Sequence, residues 1–157
     1  KRVVVIALSS WDNNSDGSPD TYDHLSRTWQ GSDTNNDGFL NRRVFHHHHM
    51  MQKDDNADGN VIIAVNSNIW HARNLSLSTS GSIEVLQEAY LSHNVLEWNI
   101  NLLGHAYRTN STWVGFQIDY VAGTSQGITV TVITVDSNQD GTPESQTITT
   151  AGTGNPP

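Results

Sequence analysis

Four copies of the six-residue pattern D-x-N-x-D-G constrain this chain more than any other feature of its sequence. We number them loop one to loop four; they begin at Asp12, Asp33, Asp54 and Asp136, so the first three recur at an interval of 21 residues. Oxygen-bearing side chains at positions 1, 3 and 5 converge when such a loop wraps a cation, and glycine at position 6 permits the sharp turn. Calcium takes about six to eight oxygen ligands, so the pattern predicts up to four calcium sites.

The residues after each pattern determine how complete each predicted site is. Loop one continues with Asp20 at position 9 and Asp23 at position 12, and loop four has Glu144 at position 9. Loop two has Asn41 at position 9 and no acid at position 12, while loop three has Ile62 at position 9. Loops two and three must therefore borrow a carboxylate from elsewhere, for example from each other, or bind weakly. The predicted ligands, with a backbone carbonyl at position 7, are Asp12, Asn14, Asp16, Ser18, Asp20, Asp23, Asp33, Asn35, Asp37, Phe39, Asn41, Asp54, Asn56, Asp58, Asn60, Asp136, Asn138, Asp140, Thr142 and Glu144.

A single copy of this pattern is also compatible with a solvated turn, because Asp, Asn and Gly all favour turns. The regular interval favours a common role, and the four segments resemble the calcium loops of thrombospondin type 3 repeats, dockerins and EF-hands. The resemblance covers the loop signatures only, and it implies bound calcium and an extracellular setting. It does not imply cohesin binding, because Val44 stands where a dockerin has an acid and the interval is too short for the dockerin helix pair.

The charge of the chain is concentrated in these loops. The chain has 16 acidic and 8 basic residues, a formal net charge of -8, and 11 of the acids are among the predicted calcium ligands. Four bound calcium ions would cancel this charge. Nucleic acid is not an expected partner, because an acidic chain with few lysines repels phosphates. Asn, Ser and Thr make up 47 of the 157 residues, a composition common in secreted and cell-surface β proteins.

Most of the chain has the period-2 alternation of β-strands. Strand-like segments occur at residues 3–8, 61–65, 75–78, 95–103, 113–120, 128–135 and 146–150. Residues 82–92 are compatible with either a helix or a strand. We therefore expect an all-β protein, a β-sandwich or jelly roll with at most one short helix.

The chain is short enough for a single domain over residues 1–157, but its apolar residues are unevenly placed. Residues 11–59 contain only five Val, Ile, Leu or Phe residues. We expect this core-poor segment to be disordered unless something else, such as bound calcium, holds it. Residues 60–157 are expected to form the main β-strand region.

Other candidate sites are weaker. The run His46, His47, His48 and His49, followed by two methionines, has side chains that suit copper, nickel or zinc, and a polar or stacked-ring surface is the alternative. Acceptor patterns for N-glycosylation occur at Asn13, Asn74 and Asn110. No catalytic motif is present, so no catalytic residue and no enzyme activity is predicted. The longest apolar run is far shorter than the roughly 20 residues of a transmembrane helix.

These features together predict an extracellular structural protein stabilised by calcium. Its expected partners are copies of itself in a surface filament or sheath. The apolar segment 3–8 is compatible with donor-strand exchange between copies, and the alternative is that it forms the first strand of its own sheet. The alternative function is a carbohydrate-binding or adhesin module, in which exposed tryptophans contact glycans. Among the five tryptophans, Trp113 lies on the wetter face of its predicted strand and Trp98 on the apolar face.

Overall fold

The protein folds into one antiparallel sheet of eight strands, as seen in a computed structural model that describes residues 1–56 and 58–153. The strands are β1 (Arg2–Trp11), β2 (Thr21–Ser32), β3 (Arg42–Lys53), β4 (Val61–Leu77), β5 (Ile83–Ile100), β6 (Ala106–Asp119), β7 (Thr124–Val135) and β8 (Ser145–Gly152). Each strand pairs with its neighbours in sequence, in the order β1 to β8. These ranges contain no helix, which confirms the all-β prediction and places residues 82–92 mainly in strand β5.

The core-poor segment contributes two complete strands to this sheet. Strands β2 and β3 each have 12 residues; β3 is paired along its whole length with both neighbours, and β2 pairs with β3 over 12 residues and with β1 over ten. These ladders satisfy the backbone amides and carbonyls without requiring many apolar side chains. The 21-residue interval is also explained, since each repeat is one 12-residue strand preceded by one nine-residue loop at residues 12–20 or 33–41.

The sheet is a single layer over the part of the chain that the structure describes. Close backbone contacts between strands link only neighbours in the sheet, and β1 and β8 do not meet. Few apolar side chains are therefore deeply buried; they are Ala64, Leu75, Ile128 and Val130, on β4 and β7. The second, facing sheet of a sandwich or jelly roll is not seen, so that finer part of the fold prediction is not confirmed.

The meander fixes which loops are neighbours. Because consecutive strands run in opposite directions, successive connections alternate between the two ends of the sheet. Loops one, three and four share one end with the turn at residues 101–105, and we call this the acidic end. Loop two lies at the opposite end with the turns at 78–82 and 120–123, about 40 Å away along a 12-residue strand. Loops two and three therefore cannot supply a carboxylate to each other within one copy, and that expectation is wrong.

Candidate cation sites in the acidic loops

All four loops have the same internal hydrogen bonds. In each, the position-1 carboxylate accepts the amide of the position-6 glycine, and the position-5 carboxylate accepts the amide at position 7. The first bond joins Asp12 to Gly17 at 2.9 Å, Asp33 to Gly38 at 2.8 Å, Asp54 to Gly59 at 2.9 Å and Asp136 to Gly141 at 2.8 Å. The second measures 2.8 Å in every loop. The glycines have φ between 84° and 92°, a region that favours glycine.

Position 9 closes three of the loops by accepting the backbone amide at position 2. The pairs are Asp20 with Asn13 at 2.5 Å, Asn41 with Thr34 at 3.0 Å and Glu144 with Ser137 at 2.6 Å. The bond from Ser137 lowers the pKa of Glu144, which keeps its carboxylate ionised. Loop three has Ile62 at this position, and that residue cannot accept such a bond. Loop three is therefore the only one of the four loops that lacks a side-chain oxygen at position 9.

Asp20 is the most buried of the loop acids. It is 1% exposed, and its Oδ2 accepts the amides of both Asn13 and Asn14. Its Oδ1 is buried and has no hydrogen-bond partner, and none of the ion pairs among the described residues includes Asp20. A buried carboxylate is costly unless a cation or further hydrogen bonds compensate it. The orphaned oxygen is thus an observation that fits a bound cation at this end of the sheet.

Loops one and three are in direct contact at the acidic end. The amide of Asp54 donates to the carbonyl of Asp20 at 2.7 Å, and the side-chain amide of Asn14 donates to the carbonyl of Asp55 at 3.1 Å. Asp54 also has a buried Oδ1 without a partner. The two buried carboxylate oxygens without partners therefore belong to residues that are hydrogen-bonded to each other.

The loop carboxylates are not gathered around a common centre. Among the residues that the structure describes, no group of three His, Asp or Glu side chains is arranged to hold a metal ion. The carboxylates instead bond to amides of their own loop, as in Asp58, whose pKa is lowered by the amide of Asn60. Binding of a cation would require these side chains to turn toward one point. Each carboxylate can do so while keeping an amide bond, because a carboxylate has about four lone-pair sites.

The side chain of Asp23, a predicted loop-one ligand, contacts the histidine run. It is on β2, where its Oδ1 is 2.8 Å from Nε2 of His49 on β3. The other predicted residues of loop one lie within residues 12–20, and the loop closes at Asp20. The structure therefore links Asp23 to the histidine run rather than to the acidic loop.

The histidine run lies on β3 and alternates between the faces of the sheet. His47 and His49 share one face with Met51, and His46 and His48 share the other with Met50, as a strand requires. His48 is 5.6 Å from the ring of His24, edge to face. Burial and the nearby Arg27 lower the pKa of His47, so the imidazolium form of this residue is disfavoured. The rings form two ladders rather than one convergent ligand set.

A polar cluster around Glu88 was not anticipated from the sequence. Its Oε1 lies 2.5 Å from Nε2 of His71 and 3.0 Å from a guanidinium nitrogen of Arg73, and its Oε2 accepts a bond from the Tyr120 hydroxyl at 3.3 Å. Burial opposes ionisation of Glu88, but the bonds from Arg73 and His71 outweigh it and lower its pKa. The four residues come from strands β4 and β5 and from the turn after β6, so no local pattern signals the cluster.

The candidate glycosylation sites lie in different settings. Asn13 is in loop one, where its side chain bonds to Thr21, while Asn74 is on β4 and bonds to Gln87. Asn110 is half-buried on β6. Asn13 and Asn74 are exposed, and of these two only Asn13 lies outside a strand.

The tryptophans do not form one platform. Trp11, Trp29 and Trp70 are the exposed ones, and Trp70 lies on the face opposite to the other two. Trp113 is stacked on His93 with ring centroids 4.4 Å apart, and Trp98 lies beneath the guanidinium of Arg108.

The chain was compared with models of protein families, with curated proteins and with solved structures, and none of them matches it. The described ranges also contain no helix long and apolar enough to cross a membrane.

Proposed function

We propose that this chain is an extracellular structural protein, stabilised by calcium, whose copies join edge to edge into a filament or sheath. The observation that carries this proposal is that the two outer strands are exposed and that each has one edge without a neighbouring strand. Every residue of β1 and every residue of β8 is exposed, and each strand has a single neighbour among the described residues. An unpaired strand presents a row of amides and carbonyls to which another chain can add.

After Arg2 at its start, strand β1 lacks the features that normally protect a sheet edge. Its residues from Val3 to Ser10 include no charged residue and no proline, and its register with β2 has no bulge. Its side chains are also apolar, with Val3 56%, Ile6 62% and Leu8 75% exposed. Long, flat and hydrophobic edges of this kind favour pairing with another strand. The β8 edge is likewise uncharged over residues 145–152.

An even number of strands makes these edges compatible with each other. In a meander of eight strands, β1 and β8 run in opposite directions. The β1 of one copy can therefore pair with the β8 of the next and continue the antiparallel sheet without a change of orientation. Because β1 also pairs with β2 over ten residues, we favour addition to the edge. Donor-strand exchange, in which β1 leaves its own sheet, is the alternative form of the same contact.

Calcium enters this proposal through the charge at each junction. Loop one follows β1 and loop four precedes β8, so both lie at the acidic end. Edge pairing would bring Asp136, Asp140 and Glu144 of one copy close to Asp12 and Asp16 of the next. Bound calcium would neutralise these carboxylates and remove the repulsion between copies. Because calcium would bind the folded state alone, it would also stabilise each copy.

Electron microscopy of the purified protein with calcium and with a chelator tests the proposal. We expect regular fibres or sheets with calcium and dispersed particles with chelator, together with a lower melting temperature in chelator. Dispersed particles under both conditions would contradict assembly. An identical melting curve under both conditions would contradict the role of calcium.

The second candidate is a carbohydrate-binding or adhesin module, and one groove favours it. Trp29, Phe45 and His71 contribute to the lining of a groove of about 310 Å³ on one face, and the rings of Trp29 and Phe45 lie 5.3 Å apart. Aromatic rings in an open groove suit stacking on a sugar. Glycan-array binding by the dispersed protein that is lost in Trp29→Ala but kept in Trp70→Ala would support this role.

A further inference from the structure

We propose that Asp20 serves two cation sites, its own in loop one and that of the adjacent loop three, so that these two loops bind calcium cooperatively. This inference rests on the proposed calcium binding and specifies how two of the four sites are built. Loop three needs such help because Ile62 occupies its ninth position. The sequence alone does not identify the donor, since loops one and three are separated by two strands.

The buried oxygen of Asp20 is the one available to a second ion. Its Oδ2 is held by the amides of Asn13 and Asn14 inside loop one, at 2.5 and 3.1 Å. Its Oδ1 has no partner although the residue is 1% exposed. A carboxylate can bridge two cations through its two oxygens, and a buried one gains more from a second positive charge than an exposed one.

Asp54 is the partner of Asp20 in loop three. It is the position-1 residue of that loop, its Oδ2 accepts the amide of Gly59, and its Oδ1 is also buried and unpartnered. The bond from its amide to the carbonyl of Asp20 fixes the two residues side by side. The hydrogen bond from the Asn14 side chain to the carbonyl of Asp55 is a second connection between the two loops. Ordering one loop around an ion therefore orders the other, which is the physical basis of positive cooperativity.

Loop four provides a matched comparison within the same chain. Glu144 has the same position and the same amide bond as Asp20, but it is exposed and neither of its oxygens is a buried atom without a partner. Loop two lies at the other end of the sheet, so its Asp33 is a comparison for Asp54.

Equilibrium dialysis against calcium, with bound ions counted per chain, tests the inference. We expect Asp20→Asn to lose two ions and Glu144→Gln to lose one. Equal losses in the two variants would overturn the shared site while leaving calcium binding by the loops intact. A wild-type chain that binds no calcium would instead refute the proposed function and this inference together.

A second pair of variants covers the case in which Asp20→Asn does not fold. Asp54→Asn should remove the loop-three ion and weaken one remaining ion by about tenfold, because the cooperative partner is lost. Asp33→Asn should remove the loop-two ion and leave the remaining affinities unchanged. If Asp54→Asn behaves as Asp33→Asn does, the two loops bind independently and the inference is wrong.

Discussion

The amide of Asp54 donates a hydrogen bond to the carbonyl of Asp20 at 2.7 Å, and this bond joins two loops that are separated by strands β2 and β3. It ties the hairpin of β1 and β2 to the hairpin of β3 and β4 at the acidic end of the sheet. In a single-layer sheet with few buried apolar residues, such contacts between loops are among the few that reach beyond the strand ladders. Cations bound in these loops would therefore reduce charge repulsion at the acidic end, where loops one and three contact each other.

The position-6 glycines provide a first prediction about the loops without calcium. Gly38 has φ of 87°, and a Cβ there would meet nothing within 4 Å, so Gly38→Ala should cost about 1 kcal/mol of folding free energy through backbone strain alone. At Gly141 a Cβ would lie 2.7 Å from the His105 ring, so Gly141→Ala should cost more, about 2 kcal/mol. Urea denaturation in chelator measures both. A smaller loss in Gly141→Ala than in Gly38→Ala would show that the contact with His105 contributes nothing.

The conformation of the four loops is local, so a short sequence pattern is enough to locate them, while calcium binding there stays a prediction. The hydrogen bonds of positions 1, 5 and 9 join residues within nine positions of each other, so D-x-N-x-D-G specifies them directly. It did not predict that Asp23 contacts His49, because that contact depends on the register of β2 with β3. The adjacency of loops one and three also depends on the strands between them, which lack the apolar alternation that normally reveals a strand.

The sequence predicted the all-β class, but it did not predict the arrangement of the strands or the existence of β2 and β3. Val61, Ile62 and Ile63 form the kind of continuous apolar run that is found in strands buried on both faces. In this structure the same run lies on β4 of a single layer, with Ile62 38% exposed. Whether two layers form depends on contacts between distant parts of a sheet, or between copies, and no local pattern encodes them.

The pKa of Glu88 leads to a prediction about acid stability. Its pKa in the fold is below the ordinary value of 4.5, so the ionised form stabilises the folded state above that pH, and this contribution is lost as the pH falls through the lowered pKa. Glu88→Gln should therefore lower the stability of the fold at neutral pH. Below pH 4.5 the stability of this variant should fall less steeply than that of the wild type. Thermal denaturation across this pH range is the measurement.

Glu84→Gln is the matched control for that experiment. Glu84 is an exposed glutamate on the same strand and takes part in no ion pair among the described residues. Its replacement should leave the pH dependence close to that of the wild type. If the Glu88 and Glu84 variants have the same pH profile, the contacts of Glu88 with His71 and Arg73 do not govern acid stability.

The stack of Trp113 on His93 predicts a specific loss of stability. The two rings are nearly parallel, with an interplanar angle of 8°, and Trp113 is half-buried. Trp113→Ala should lose about 1 kcal/mol from stacking in addition to its buried area. Trp11→Ala removes a side chain that is 49% exposed and should cost less. Equal changes in the urea midpoint would indicate that the stack does not contribute.

The exposed edge of β1 predicts which substitutions prevent assembly. Ile6 lies in the middle of β1 and is 62% exposed, so Ile6→Lys should place a charge in the contact between copies and abolish fibres. Leu103→Lys makes the same chemical change at a residue that is 78% exposed in the turn at 101–105, away from both edges. This control should form fibres as the wild type does. Circular dichroism should show the same sheet signal in both variants, so that a difference in micrographs reports assembly rather than folding. Fibres from Ile6→Lys that match those of Leu103→Lys in number and width would mean that copies do not join through β1.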